Sequence, residues 1–453
     1  MELLLKKLLP LLPEHVRQRL ESMLLSGIGK RLSGGAFWSI AGSAVQYLCI
    51  LVALMVCAKI LGKENFGKLN LVQNTINIFV VLGAMGMGNT AAKYISEYRE
   101  TQKERAAGIY VISGWSGGIM GALLAFVVIL VAPFIAEKVS APDLTDCIRW
   151  GGLWLFFSTL SGIQTGVLSG FENFRMVAVN SIITGIVEGV MIIIGARLWG
   201  ITGAILGYGV GFLVWTLANA LAIRTNLRRE NIVPRWTRVS RDDFKIIHQF
   251  SLPAMLSTLM VMPVFLGIKM MLAKFDGFGE VGVYGAADQW KTMILFIPSA
   301  MSRIALPILS NIRSKGEIGT YTRVLLINVM MNAGVTVFLS AIVIGLSKNI
   351  MLLYGRDFLE PMPLILLALS TIFTSIASVV GLAIASQSKM WIGFGFNLLW
   401  GVVALGLCYL FLQRGLGARG AAAAILLSYL IHTVLQSFYL AWLIRKDKCK
   451  KAV

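Results

Sequence analysis

Three charged residues stand inside long apolar runs of the chain, where a charge is costly. Asp288 and Lys291 share one run, and Glu188 lies in the middle of another. A charge at the centre of a membrane helix costs ~3 kcal/mol on insertion scales, so it normally faces a cavity or a partner. The i, i+3 spacing places Asp288 and Lys291 on one helix face. Lys291 could therefore bind a phosphate-like anion, whereas the two carboxylates could take up a proton or cation.

Each of these residues also has a structural interpretation. The charged pair could be an internal ion pair that only holds its helix, and Glu188 could make a hydrogen bond between helices. Lys269 and Arg303 lie nearer the ends of apolar runs, where long side chains can anchor at the membrane surface instead of lining a cavity. His432 could titrate near neutral pH and couple to an ion, although a lone histidine is more often a packing residue.

One apolar run near the N-terminus is unusually polar over two helical turns. It carries four neighbouring polar side chains, namely Gln73, Asn74, Thr75 and Asn77. Such side chains can join helices or line a hydrated cavity and bind sugar hydroxyls. When the sequence is aligned with itself at an offset of 215, Gln73 falls opposite Asp288 and Asn74 opposite Gln289. This correspondence favours a cavity-lining role for Gln73, Asn74 and Gln289.

The composition requires a membrane around these residues. The 453 residues are 57% hydrophobic and only 14% charged, whereas soluble domains are about 45–50% apolar and about 25% charged. The sequence predicts an all-α polytopic membrane protein with about twelve transmembrane helices, because each crossing needs roughly 20 apolar residues. The predicted spans are 35–61, 68–92, 107–136, 148–170, 175–197, 200–223, 247–273, 281–307, 323–347, 361–385, 390–412 and 419–444.

The basic residues predict the orientation of the chain. Of the 41 Lys and Arg residues, 27 fall in the loops and tails on the side of both termini, and 11 fall on the other side. Cytoplasmic loops carry the excess of positive charge, so both termini are predicted to be cytoplasmic. The net charge of +19 is then a topological signal and not a sign of nucleic-acid binding. Five dispersed cysteines and three histidines predict neither a disulfide framework nor a metal site.

Two internal echoes predict that the chain is a duplicated unit. Residues 58–67 align with 273–282 at an offset of 215, and residues 200–204 align with 417–421 at an offset of 217. Each echo falls at the same topological place in a set of six helices. Because six is even, both sets cross in the same direction, which predicts two six-helix lobes related by a parallel pseudo-two-fold repeat. Such lobes favour transport by alternating access over catalysis.

These boundaries give five predicted regions. They are an amphipathic or disordered N-terminal segment (1–33), an N-lobe (34–224), a basic cytoplasmic linker (225–245), a C-lobe (246–444) and a basic tail (445–453).

Four short segments carry a resemblance to a known superfamily. They are LGKENFG at 61–67, GMGNTAAKYISEY at 86–98, VGVYGAA at 281–287 and FIPSA at 296–300. With twelve spans and a repeat of six, the chain resembles the multidrug/oligosaccharidyl-lipid/polysaccharide exporter superfamily. Within it the chain is most similar to the polysaccharide-biosynthesis flippases of the Wzx type, from about residue 30 to residue 445.

The resemblance implies a flippase that moves polyprenyl-pyrophosphate-linked oligosaccharide from the cytoplasmic to the outer leaflet of the inner membrane. It implies no cofactor, coupling to protons or sodium, contact with membrane lipids, and a glycan polymerase and other assembly proteins as partners. Two other functions stay open. One is a multidrug or organic-cation antiporter of the same fold, for which Asp288 and Glu188 could serve. The other is a membrane glycan polymerase or glycosyltransferase, which the short loops and the lack of a paired acidic site disfavour.

Overall fold

The computed structural model describes residues 27–139, 141–234, 259–314, 318–387 and 389–452, which form helices and short turns without a strand. The helices are α1 (Gly27–Ala84), α2 (Met87–Tyr98), α3 (Lys103–Lys138), α4 (Thr145–Gly170), α5 (Phe174–Arg229), α6 (Met262–Asp276), α7 (Phe278–Ser314), α8 (Ile318–Gly345), α9 (Ser347–Leu352), α10 (Met362–Ala385), α11 (Met390–Leu412) and α12 (Gly417–Ala452). Two single 3₁₀ turns lie at Pro142–Leu144 and Arg356–Phe358.

Seven helices of this described part are long and apolar enough to cross a membrane by length and composition. Two of them are too long for one crossing. α1 has 58 residues and α5 has 56, so each would extend more than ~80 Å at 1.5 Å per residue, against a hydrocarbon core of about 30 Å. Each helix is interrupted once, α1 at Gly62 and α5 at Trp199 and Gly200. These breaks confirm the predicted boundaries between spans one and two and between spans five and six.

The outer faces of the helices have the chemistry expected of lipid contact. On α3, Phe126, Leu130 and Phe134 lie one turn apart and are 59%, 63% and 57% exposed. On α8, Phe338 is 66% exposed, and on α12 Phe438 is 72% exposed. Soluble proteins rarely expose large apolar side chains in such rows. The prediction of an all-α polytopic membrane protein is confirmed.

The second predicted span, 68–92, is not one continuous helix. α1 ends at Ala84, Met85 and Gly86 adopt positive φ angles of 47° and 70°, and the chain restarts as α2. Gly86 tolerates this conformation because it has no Cβ, whereas methionine gives no sequence signal for such a turn. The prediction of an unbroken span here was therefore wrong.

The fold divides into two compact units, residues 34–282 and residues 283–453. In the first unit α4 packs against α2, α3 and α5. In the second unit α10 packs against α8 and α12, and α11 packs against α12. The predicted lobe boundaries remain a prediction, because residues 235–258 of the linker region lie outside the described residues, as do residues 1–26 of the N-terminal segment.

The two halves of α5 form an antiparallel pair held by small and polar residues. Asn173 donates to Asn226 at 3.1 Å, and two turns further Asn180 donates to Asn219 at 2.9 Å. Beside the break at Trp199 and Gly200, the backbones meet closely at Gly195 and Gly203, where an added Cβ would lie 2.0 Å from the opposite carbonyl oxygen. Membrane helices associate through such small residues and side-chain hydrogen bonds because lipid offers no hydrophobic drive between them.

The internal repeat is visible in the backbone. Gly62 (φ 73°, ψ 168°) and Gly277 (φ 87°, ψ 171°) are equivalent positions of the first echo and share a conformation that is essentially restricted to glycine. Gly200 and Gly417, the equivalent pair that begins the second echo, both have positive φ angles, of 60° and 51°. The duplication predicted from the sequence is therefore confirmed at both echoes.

A hydrogen bond repeats as well. Thr216 lies 3.1 Å from the carbonyl oxygen of Phe157, and Thr433, its equivalent at the offset of the second echo, lies 2.9 Å from that of Phe373. Each threonine joins the sixth helix of its half to the fourth. The repeat thus extends from the backbone turns to side-chain contacts inside each unit.

The two copies of the first echo pack directly on each other within the first unit. A Cβ on Gly67 would lie 1.9 Å from the carbonyl oxygen of Phe278, and a Cβ on Gly282 would lie 2.1 Å from that of Lys63. Lys63 and Phe278 are equivalent in the repeat, as are Gly67 and Gly282. The contact between the segments is therefore reciprocal, and glycine is required on both sides.

Candidate functional site

Asp288 and Lys291 form an ion pair on α7. The distance between Lys291 Nζ and Asp288 Oδ1 is 2.6 Å, and the two side chains are only 8% and 21% exposed. Lys291 lies ten residues inside the predicted span 281–307, or ~15 Å at 1.5 Å per residue, which is half of a hydrocarbon core of about 30 Å. A buried cation and a half-buried anion therefore meet near the predicted middle of the span.

Two tyrosine side chains lie near Asp288. Tyr284 lies one turn before Asp288 on α7, and Tyr429 reaches the same region from α12. Tyr284 is buried and Tyr429 half-buried, and both lie close enough to Asp288 to interact with its charge. The ring centroid of Tyr429 lies 4.9 Å from that of Trp400 on α11. Residues of α7 and α12 thus lie around the acidic member of the pair.

Helix stabilisation does not account for this pair. An i, i+3 ion pair contributes about 0.2–0.5 kcal/mol to a helix, whereas each charge at this depth costs ~3 kcal/mol. The stabilisation of the helix by this ion pair is therefore smaller than the cost of placing the two charges at this depth, so helix stabilisation alone does not explain their presence.

Gln289, the neighbour of Asp288, is engaged by a different part of the second unit. The hydroxyl of Tyr354 donates a hydrogen bond of 2.9 Å to Gln289 Oε1. Tyr354 follows α9 in the turn before α10. This contact fixes the connection between α9 and α10 against α7 and gives Gln289 a positioning role.

Glu188 occupies a separate buried place in the first unit. It lies on the first half of α5, is 2% exposed, and its Oε2 atom has no hydrogen-bond partner among the described residues. It packs against Gly211 on the second half of α5, where a Cβ would lie 2.5 Å from the Cβ of Glu188. Tyr208 and Cys57 lie nearby. Glycine at 211 therefore makes the space that a buried carboxyl group needs.

Gln73 belongs to the same place as Glu188. Its carboxamide lies near Tyr208, and the Tyr208 ring stacks on Trp154 of α4 at 5.0 Å. The other polar residues of this stretch are partly satisfied by their own helix: Asn74 donates to the carbonyl of Asn70 at 2.8 Å. Asn77 is half-buried.

The remaining candidates are dispersed. Lys269 on α6 is 2% exposed, so burial excludes a membrane-surface anchor for it. Arg303 lies within α7, but its side chain is outside the described residues. His432 on α12 is 7% exposed and meets the rings of Phe396 and Tyr429 edge to face at 6.5 and 6.4 Å. The described residues include no group of three or more His, Cys, Asp or Glu side chains placed to hold a metal ion.

The comparisons with known proteins agree with this architecture. A model of a family described as polysaccharide biosynthesis protein matches residues 32–313. The chain belongs to this family. The resemblance to polysaccharide-biosynthesis flippases is thereby confirmed.

Two curated relatives of the family are similar over most of their length. One is the EPS I polysaccharide export inner membrane protein EpsE of Ralstonia nicotianae, 25% identical over 353 residues, covering 70% of this chain and 76% of that protein. The other is the lipid III flippase of Escherichia coli strain K12, 22% identical over 293 residues, covering 63% and 69%.

Solved structures show the same fold. A multidrug resistance MATE family transporter of the MOP superfamily, solved in an inward-facing conformation, superposes with a TM-score of 0.75 at 15% identity and covers 90% of this chain and 99% of its own. A MOP superfamily transporter from Pyrococcus furiosus superposes with a TM-score of 0.69 at 14% identity, covering 92% and 96%. At 14–15% identity these superpositions show a shared fold. The family membership and the two curated relatives identify the chain as a membrane transporter and not an enzyme.

The tyrosines near Asp288 and Glu188 were not predicted from the sequence. Tyr208, Tyr284 and Tyr429 stand within apolar runs and were not predicted as site residues. One signal could have found Tyr284, since it lies four residues before Asp288 and therefore one helical turn away. Tyr429 reaches the pair from a helix more than a hundred residues later, which no spacing rule anticipates.

Proposed function

We propose that this protein is a flippase for a lipid-linked oligosaccharide. The proposal rests on the family, on relatives named as a polysaccharide export protein and a lipid III flippase, and on one observation in the chain itself. That observation is the buried Lys291, a cation near mid-membrane held by a carboxylate on its own helix. A phosphate-bearing head group is an anion that such an ammonium group recognises.

The finer parts of the proposal concern the substrate and its path. A polyprenyl-pyrophosphate carrier presents two anionic phosphates next to the sugar. The excess of basic residues on one side supports cytoplasmic termini, so the substrate moves from the cytoplasmic to the outer leaflet of the inner membrane. The repeat seen at Gly62 and Gly277 supports a mechanism of alternating access, in which two similar halves move about the substrate.

Ion coupling is a separate part of the proposal. The buried Glu188 and the half-buried Asp288 are the carboxyl groups to which a proton or sodium ion would bind, and His432 is a third candidate. The burial of Glu188 and the absence of a described partner for its Oε2 atom support a site that is completed by a proton or cation.

The test is flipping by purified protein in liposomes. Fluorescent lipid-linked oligosaccharide is placed in both leaflets, and the fraction that reaches the outer leaflet is followed by its accessibility to an impermeant quencher. We expect flipping by the native protein and at least a tenfold loss for Lys291→Met, which keeps the length of the side chain. The matched control is Lys274→Met at the exposed end of α6, which should flip normally.

The same liposomes test the competing function. A multidrug or organic-cation antiporter would extrude ethidium and leave the lipid unflipped, a result that would overturn the proposal. Normal flipping by Lys291→Met would reject only the assignment of the substrate anion to Lys291.

A further inference from the structure

The ion pair on α7 leaves Lys291 no unshared charge for a substrate. Its ammonium group is 2.6 Å from Asp288, and both side chains are largely buried. An anionic substrate that binds Lys291 must therefore compete with Asp288 for the same ammonium group. The two anions cannot both be neutralised by one cation, so binding changes the state of Asp288.

We propose that the substrate anion displaces Asp288 from Lys291 and that Asp288 takes up one proton in the same step. This inference rests on the proposed function and states which ionic contacts break and form when the substrate binds. A buried carboxylate that loses its counter-ion is strongly disfavoured as an anion, and it becomes neutral by binding a proton. The ion pair between Lys291 and Asp288 breaks, one between Lys291 and a phosphate oxygen forms, and an Asp288 oxygen binds one proton taken up from the buffered aqueous solution.

The groups around Asp288 leave the carboxyl group as the proton acceptor. Tyr284 on α7 and Tyr429 on α12 are phenols that carry no charge at neutral pH. Cys408 on α11 is buried and lies near Tyr284. His432 on α12 is a further titratable group of this region, and its ring meets that of Tyr429 edge to face.

Proton uptake lowers the charge that crosses the membrane. Without it, a pyrophosphate with two negative charges, Lys291 and an ionised Asp288 would give the loaded site a net charge of −2. With Asp288 neutral the net charge is −1, and the empty site with its ion pair is neutral. Because charge in the hydrocarbon region is costly, the exchange favours movement of the loaded carrier.

The linkage predicts that acid strengthens binding. A protonated Asp288 leaves Lys291 available, so affinity rises as pH falls, by at most tenfold per pH unit for one proton. By reciprocity, bound substrate must favour the protonated form of Asp288 by the same factor.

Titration calorimetry on the full-length protein in detergent tests this directly. The probe is a prenyl diphospho-sugar, whose two phosphates each carry one strongly acidic oxygen and stay ionised between pH 6 and 8. Measurement in two buffers of different ionisation heat counts the protons taken up. We expect a count approaching one for the native protein and an affinity that falls as pH rises.

Variants identify the group that is protonated. Asp288→Asn should bind at least as tightly as the native protein at pH 6, with a proton count near zero and no pH dependence. The matched control is Asp143→Asn, which breaks a Lys68–Asp143 pair of similar length, 2.7 Å, in which the carboxylate is 57% exposed and lies between two predicted spans. This variant should keep the native count. In the native protein, infrared difference spectra should show a protonated carboxyl band on binding that Asp288→Asn lacks.

The results distinguish failure of the proposed flippase function from failure of the proposed proton uptake by Asp288. If the probe does not bind, the proposed function fails and this inference falls with it. Binding without proton uptake by the native protein would overturn the exchange and leave the flippase intact. The exchange would also be overturned if uptake persists in Asp288→Asn or disappears in His432→Asn.

Discussion

The second half of α1 and the first half of α7 are equivalent in the repeat but differ in their chemistry. Both begin after a glycine of the same unusual conformation, Gly62 and Gly277. At the positions that carry Asp288 and Lys291 on α7, α1 carries Gln73 and Ile76. Both stretches are nevertheless regular helices.

This difference shows which residues are needed to form the helix and which are not. α1 forms the same helix without a charge at either position, so the ion pair on α7 is not a requirement of the fold. In the neutral copy Gln73 lies near Tyr208, whereas the charged copy holds a cation and an anion at the equivalent positions. We infer that duplication supplied two similar helices and that the charged pair arose in the second.

The largest expected effect comes from removing one charge of the pair. Lys291→Ile removes the ammonium group that pairs with the half-buried Asp288, which is destabilising, and removes the proposed anion contact. We expect a clearly lower thermal midpoint in fluorescence-detected size-exclusion chromatography and loss of flipping. A variant as stable as the native protein would show that Asp288 is well solvated.

Copying the chemistry of the first half into the second gives the sharpest test of the comparison. The double variant Asp288→Gln/Lys291→Ile places the α1 residues on α7. Replacing a buried ion pair by neutral residues is often neutral or stabilising, so its thermal midpoint should equal or exceed that of the native protein. Flipping should fall at least tenfold. A double variant that folds and flips normally would remove the functional meaning of the pair.

Much of the fold could be predicted from the sequence, because hydropathy and self-similarity are signals that extend over many residues. The breaks at Gly62 and Gly200 followed from the same signals. The turn at Met85 and Gly86 could not be predicted, since a single methionine with positive φ has no propensity that marks it.

The same limit applies to contacts between distant residues. Spacing predicts that Asp288 and Lys291 share a face, and the structure shows the pair. Nothing in the sequence predicts that Arg99 donates to the carbonyl of Phe171 at 2.6 Å and pairs with Glu172 at 3.0 Å. Such contacts depend on the path of the chain through the fold.

The two glycines that begin the compared helices should respond alike to substitution. Alanine in their conformation is strained by about 1–3 kcal/mol, so Gly62→Ala and Gly277→Ala should lower the thermal midpoint by similar amounts. Gly114→Ala is the control, because its added Cβ meets open space in the middle of α3. If only one of the pair were sensitive, the two turns would not be mechanically equivalent.

The smallest expected effect tests whether the repeat extends to single hydrogen bonds. Thr216→Val and Thr433→Val each remove one hydroxyl that reaches a carbonyl of the fourth helix of its half, at 3.1 Å and 2.9 Å. Valine has nearly the same shape, so each change should cost about 1 kcal/mol, and each should leave flipping intact. The two contacts are in separate units, so the double variant should lose the sum of both effects. Unequal losses would show that the halves share a backbone plan but divide their stability unevenly, as they divide their charge.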